Sequence, residues 1–177
     1  MLRNVIRTAV MFVLAASLLP IVAAAQRSSG NDRFNERIRK ELVKLPYYGV
    51  YDNLSFSVNG SEVTLYGEVV RPSTKSEAER RVRRIEGVDR VINNIQVLSP
   101  SSSDDGIRRR VYRAIFSSGN LYRYAMGANP SIHIIVNHGR VTLDGVVATR
   151  MDSQLAYMAA SRVPGVFSVT NNLRVER

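Results

Sequence analysis

The sequence predicts an α+β protein built of two tandem αββαβ sandwiches, each a three-stranded mixed sheet covered by two helices. Three observations predict it: a repeat at a constant offset, apolar residues alternating with polar ones as strands require, and apolar residues recurring at helical spacing between them. The repeat is the firmest. Val63-Thr64-Leu65-Tyr66-Gly67 returns 78 residues later as Val141-Thr142-Leu143-Asp144-Gly145, and Val91-Ile92-Asn93-Asn94-Ile95-Gln96-Val97 returns without a gap as Val169-Thr170-Asn171-Asn172-Leu173-Arg174-Val175. Two modules follow, over residues 31–98 and 104–177, joined at 99–103 by Ser99-Pro100-Ser101-Ser102-Ser103, a polar linker with little to bury.

In the first module Phe34, Ile38 and Leu42 make one apolar stripe among Arg, Lys and Glu, on a helix that ends before Pro46. Leu54, Phe56 and Val58 then alternate with polar residues. Asn59-Gly60 supplies turn chemistry, and a second strand runs from Val63 to Val70. After Arg71-Pro72, Ser73 or Thr74 is placed to cap a helix whose inward residues are Ala78, Val82 and Ile85, and the last strand covers 91–97. The second module repeats this order, with Ile107, Val111 and Ile115 on its first helix and Ile132, Ile134 and Val136 on its first strand. The helices are offset by 73 and the strands by 78, so the second module carries five extra residues within 117–131.

At the N-terminus, Arg3 and Arg7 precede an uncharged run over residues 8–25 that ends in Ala23-Ala24-Ala25. This is the layout of a signal peptide over 1–25 cleaved before Gln26, with an uncleaved membrane anchor as the alternative. The expected location is periplasmic or otherwise extracytoplasmic. The chain has 25 Lys and Arg against 15 Asp and Glu, so a partner bound through charge is acidic. The excess is uneven: residues 31–97 carry 12 basic and 10 acidic side chains, residues 104–177 carry 10 and 5. There is no cysteine, hence no disulfide, no thiol nucleophile and no lipidated N-terminal Cys.

No catalytic constellation stands out. His133 and His138 have odd spacing around a strand end, which sends them to opposite faces rather than to one metal. Asp104-Asp105 sits where acidic residues cap a helix. No phosphate loop, nucleophile elbow or Cys/His metal motif occurs, so neither enzyme nor cofactor is expected. Asn93 and Asn171 share strand parity with apolar neighbours and call for hydrogen-bond partners on the inner side.

The V-x-L-x-G hairpin motif, the alanine-bearing helix and G-V-x-x-V-x-N-x-[IL], each present twice, resemble the BON domain. The resemblance implies a non-catalytic bacterial envelope module. Paired BON domains imply a periplasmic or outer-membrane-associated protein linked to phospholipid binding, envelope integrity and osmotic stress. The lack of cysteine departs from the family's lipoprotein branch.

The expected lipid surface lies on the first helix of the second module. There Arg109, Tyr112, Arg113 and Phe116 fall opposite the inward stripe or near it and Arg108 at its edge, extended by Leu121, Tyr122, Arg123, Tyr124 and Met126 of the insertion. Arginines beside aromatics suit anionic headgroups. The expected partners are an anionic phospholipid surface and envelope proteins, and nucleic acid is not expected of an exported chain. The alternative is a soluble periplasmic chaperone-like or protein-interaction factor. Leu155, Tyr157, Met158 and Ala159 widen the apolar girth of the second module's second helix, which predicts packing against the first module or self-association. Arg80, Arg81, Arg83 and Arg84 on its counterpart predict a solvent- or anion-facing surface.

Overall fold

A computed structural model describes residues 20–117, 119, 121–127 and 129–176, with side chains from residue 31 onward. The expected leader falls mainly on residues 1–19, outside the described residues. The chain divides into compact units Met1–Glu36 and Arg37–Arg177, and both sheets belong to the second.

The element order is the expected one, twice over. Helix α1 (Pro20–Val43) is followed by strands β1 (Asn53–Asn59) and β2 (Glu62–Val69), helix α2 (Pro72–Val82), and β3 (Arg90–Asn93) with β4 (Gln96–Val97). The second module has α3 (Ser102–Phe116), a 3-10 turn (Tyr122–Ala125), β5 (Ile132–Asn137), β6 (Arg140–Val147), α4 (Arg150–Ser161) and β7 (Ser168–Val175). In each sheet the first two strands form an antiparallel hairpin, and the chain returns through a helix to add a parallel strand to the second. The expected single last strand of the first module is split into β3 and β4, whereas β7 is continuous.

The predicted stripes form most of the cores, with Phe34 and Ile85 only half-buried. In the first domain Ile38, Leu42, Ala78 and Val82 are buried, as are Val63, Leu65 and Val69 of its sheet; in the second, Ile107, Val111, Ile115, Ala156 and Ala160 form one cluster with Ile132, Ile134, Val136, Val141 and Leu143. Each full Leu, Ile or Val burial contributes about 1.5–3 kcal/mol. Gly67 and Gly145 have positive φ, 122° and 127°, and a Cβ there would stand 2.0 Å from the carbonyl oxygens of Asn53 and Ser131. The repeated motif therefore needs glycine because the neighbouring strand passes too close for any side chain.

Asn93 and Asn171 act as equivalent clasps. The side-chain amide of Asn93 donates to the Lys75 carbonyl at 3.0 Å and its oxygen accepts the Ile95 N–H at 3.2 Å; Asn171 does the same with Ser153 at 3.2 Å and Leu173 at 3.2 Å. Each ties the last strand to the helix above it and satisfies backbone groups that would otherwise lack partners.

Helix caps depart from expectation. Neither Ser73 nor Thr74 caps α2: the helix opens at Pro72, after Arg71, with no side-chain cap, because proline has no N–H to satisfy. Asp104 does not cap α3. Ser101 does, accepting the Asp104 N–H at 3.2 Å, while the Asp104 carboxylate accepts the N–H groups of His138 and Gly139, both at 2.9 Å, and holds the β5–β6 turn.

Candidate lipid-contact surface

The outer side of α3 keeps only part of its expected character. Arg109 and Arg113 are exposed and have no ion pair among the described residues. Arg108 is buried: it donates to Asp105 at 2.5 Å and to the Val136 carbonyl at 2.7 Å, closing one end of the β5 edge. Phe116 is buried too, edge-on to the half-buried Tyr112 with ring centroids 4.8 Å apart. Tyr112 in turn meets Tyr51 of the first module at 6.3 Å. Arg108 and Phe116 therefore leave the expected lipid surface, because a helical wheel places residues around one helix and is blind to what packs on its flank.

What packs there is the stretch leading into β1. The Val50 carbonyl accepts the Ile134 N–H at 2.7 Å, continuing the sheet past β5, and Asn53 donates to Asp144 at 3.0 Å. A ring nitrogen of His133 lies 3.2 Å from the Gly49 carbonyl, and the ring stacks at 5.5 Å with Tyr48. Burial lowers the pKa of His133, against the hydrogen bonds and nearby carboxylates that raise it, and burial pushes Tyr48 up to about 12. His133 thus serves the joint between modules, while His138 sits in the turn at φ 51°. Among the described residues no group of His, Asp and Glu could hold a metal ion.

The insertion is a built structure. Leu121 and Tyr124 are buried, and the Tyr124 hydroxyl donates to Asp152 at 2.8 Å while accepting from the Ala148 N–H at 2.9 Å and from Arg123 at 2.8 Å. Arg123 also donates to Asp152 at 2.7 Å, and Thr149 caps α4 by accepting the Asp152 N–H at 3.1 Å. Burial works to raise the Asp152 pKa, but the hydrogen bonds from Thr149 and Tyr124 and the charge of Arg123 outweigh it and hold the carboxyl below its ordinary value. Leu121 and Tyr124 therefore anchor the turn and leave the expected lipid surface. With the turn pinned, Tyr122 and Met126 project outward, 60% and 64% exposed.

The remaining expectations concern the second helix of each module. Tyr157 and Met158 of α4 are exposed, and Leu155 packs half-buried on its own core, so the predicted packing against the first module is not seen among the described residues. On α2, Arg81 pairs with Glu77 at 3.0 Å and Glu41 at 3.5 Å, Arg80 with Glu77, and Arg83 with Glu79. That face is charged but largely self-neutralised.

The BON domain family model matches residues 32–99 and 103–177. The chain belongs to the BON domain family. As a tandem BON protein it is of a phospholipid-binding, envelope-associated kind, generally periplasmic or membrane-associated, in a family that is generally non-catalytic. No helix among the described residues is long and apolar enough to cross a membrane. The search of curated proteins gives no match. Among solved structures, the chain is similar to the C-terminal domain of CdsD, a structural protein of the type III secretion system of Chlamydia trachomatis, at 12% identity and a TM-score of 0.33, covering 80% of this chain and 96% of that one. A second CdsD structure from the same organism gives 12% identity and a TM-score of 0.33, covering 80% and 91%. At that score the likeness adds nothing to the BON assignment.

Proposed function

We propose that this protein is exported by a leader at residues 1–25 and binds anionic phospholipid surfaces through its second BON domain, supporting envelope integrity under osmotic stress. The observation that carries the reading is the difference in charge pairing. Arg80, Arg81, Arg83 and Arg90 of the first domain are paired with glutamates, whereas Arg109 and Arg113 of the second stand exposed with no acidic partner among the described residues. Arg123 adds a third charge, partly neutralised by Asp152.

A basic residue near an anionic leaflet contributes about 1 kcal/mol, so Arg109 and Arg113 together give about 2 kcal/mol, too little for stable attachment. Apolar contact has to add to it. Co-sedimentation of residues 26–177 with vesicles rich in phosphatidylglycerol is expected to exceed that with phosphatidylcholine vesicles. It is expected to fall with added salt as the Debye length shortens, and to fall again in Arg109→Glu/Arg113→Glu. Equal absence of binding to both vesicles sinks the reading and favours a chaperone-like or protein-interaction role instead.

A further inference from the structure

We infer that the part of the protein that enters the bilayer is the outer face of α4 with its two ends, and not the aromatic residues of α3. This rests on the phospholipid reading above and names the residues that supply its apolar contact. Tyr112 is half-covered beside Tyr51 and Phe116 is buried, so α3 offers charge but little exposed apolar surface. Along α4 the opposite holds. Met151 and Met158 are seven residues apart, hence on one face, and are 61% and 41% exposed, while Ala156 and Ala160 point into the core. At the N-terminal end of the helix, the bonds from Arg123 and Tyr124 to Asp152 set the 3-10 turn, with exposed Tyr122 and Met126, beside Met151. Beyond the other end stands Phe167, 79% exposed, with the Arg140 guanidinium 5.8 Å from its ring centroid.

Charge makes the occupant an anionic surface. Residues 117–131 contain no Asp or Glu, and neither do residues 153–175; the carboxylate between these stretches on α4, Asp152, is buried and fully engaged. Exposed Arg150 and Arg162 flank the methionines. The repeat sharpens the point. The positions equivalent to Leu155, Tyr157, Met158 and Phe167 in the first domain are Glu77, Glu79, Arg80 and Asp89, all charged, with Glu77 paired to Arg80 and Glu79 to Arg83. The same helix in the same fold thus presents ion pairs in one copy and apolar side chains rimmed by arginine in the other, which is the composition of an interfacial membrane contact.

The chain has no tryptophan, so one introduced residue reports its own surroundings. In Met158→Trp, emission is expected to shift to the blue on adding phosphatidylglycerol vesicles and to be quenched by brominated acyl chains, while Arg80→Trp at the equivalent position of α2 shows neither. Met151→Glu/Met158→Glu, both at exposed positions, is expected to weaken vesicle binding about tenfold or more at low and high salt alike. An unshifted Met158→Trp in protein that still co-sediments overturns the inference and leaves the phospholipid reading standing, whereas loss of co-sedimentation in the unaltered protein removes both. A blue shift that grows with protein concentration without vesicles overturns it in favour of self-association through α4.

Discussion

The two BON domains share a hairpin, a glycine that admits the neighbouring strand and an asparagine clasp, but they differ in what holds the second helix and what covers it. In the first domain α2 starts on Pro72 with no side-chain cap, Thr74 is buried with its hydroxyl unpartnered, and glutamate–arginine pairs cover the outside. In the second, the position equivalent to Thr74 is Asp152, which Thr149 caps and which gathers Tyr124 and Arg123, and the outside is apolar. One copy has an ionic exterior. The other has a five-residue insertion tied by a single carboxylate to the start of a helix whose outer face is exposed. The lesson is that the apolar inner positions recur in both copies, where strands and helices must interlock, while the outer positions and the buried polar position at 74 and 152 differ.

The largest effect expected is common to both domains and tests whether they are structurally equivalent. Gly67→Ala and Gly145→Ala each force a Cβ against a strand carbonyl 2.0 Å away and are expected to cost on the order of 3 kcal/mol or more in denaturant unfolding. A large loss in one and none in the other would break the equivalence.

Next comes a difference between the copies. Asp152→Asn removes the charged acceptor at the joint and is expected to cost about 2 kcal/mol. Its pH signature has a definite sign. The folded pKa of Asp152 lies below the ordinary value, so its contribution is present above about pH 4 and is lost as pH falls through the lowered folded value. Thermal melts between pH 7 and pH 2 are expected to show a smaller acid loss in Asp152→Asn than in the unaltered chain. No carboxylate occupies the equivalent position of the first domain.

The smallest effect concerns the exterior of the first domain. Arg81→Ala breaks contacts with Glu77 and Glu41 at the half-exposed surface and is expected to cost only about 0.5–1 kcal/mol by the same unfolding measurement. A loss of several kcal/mol would mean that the ionic face is a structural requirement and not a solvated surface, and would change how its replacement on α4 is read.

The placement of Arg109 and Arg113 was legible in the sequence, because α3 has one inward stripe and they lie opposite it. Arg108, Phe116 and Tyr124 were not, since their partners are Val136, Tyr112 and Asp152, brought in by the sheet, the helix flank and α4. The exposed α4 face was legible only as an excess of apolar residues. Periodicity counts how many sides of a helix are apolar, but not whether anything covers them.

By itself the sequence determined the repeat, the element order, the inward stripes and the uneven charge, because these depend on local periodicity and on identities that recur at a constant offset. Only the tertiary structure decided that residues 48–53 join the β5 edge, that Asp104 ties a turn and does not cap a helix, and that the insertion is pinned by Asp152 while α4 stays open. Such contacts join residues tens of positions apart. Their free energy depends on which surfaces meet and which polar groups are left without water, and a pattern along one chain carries no record of that.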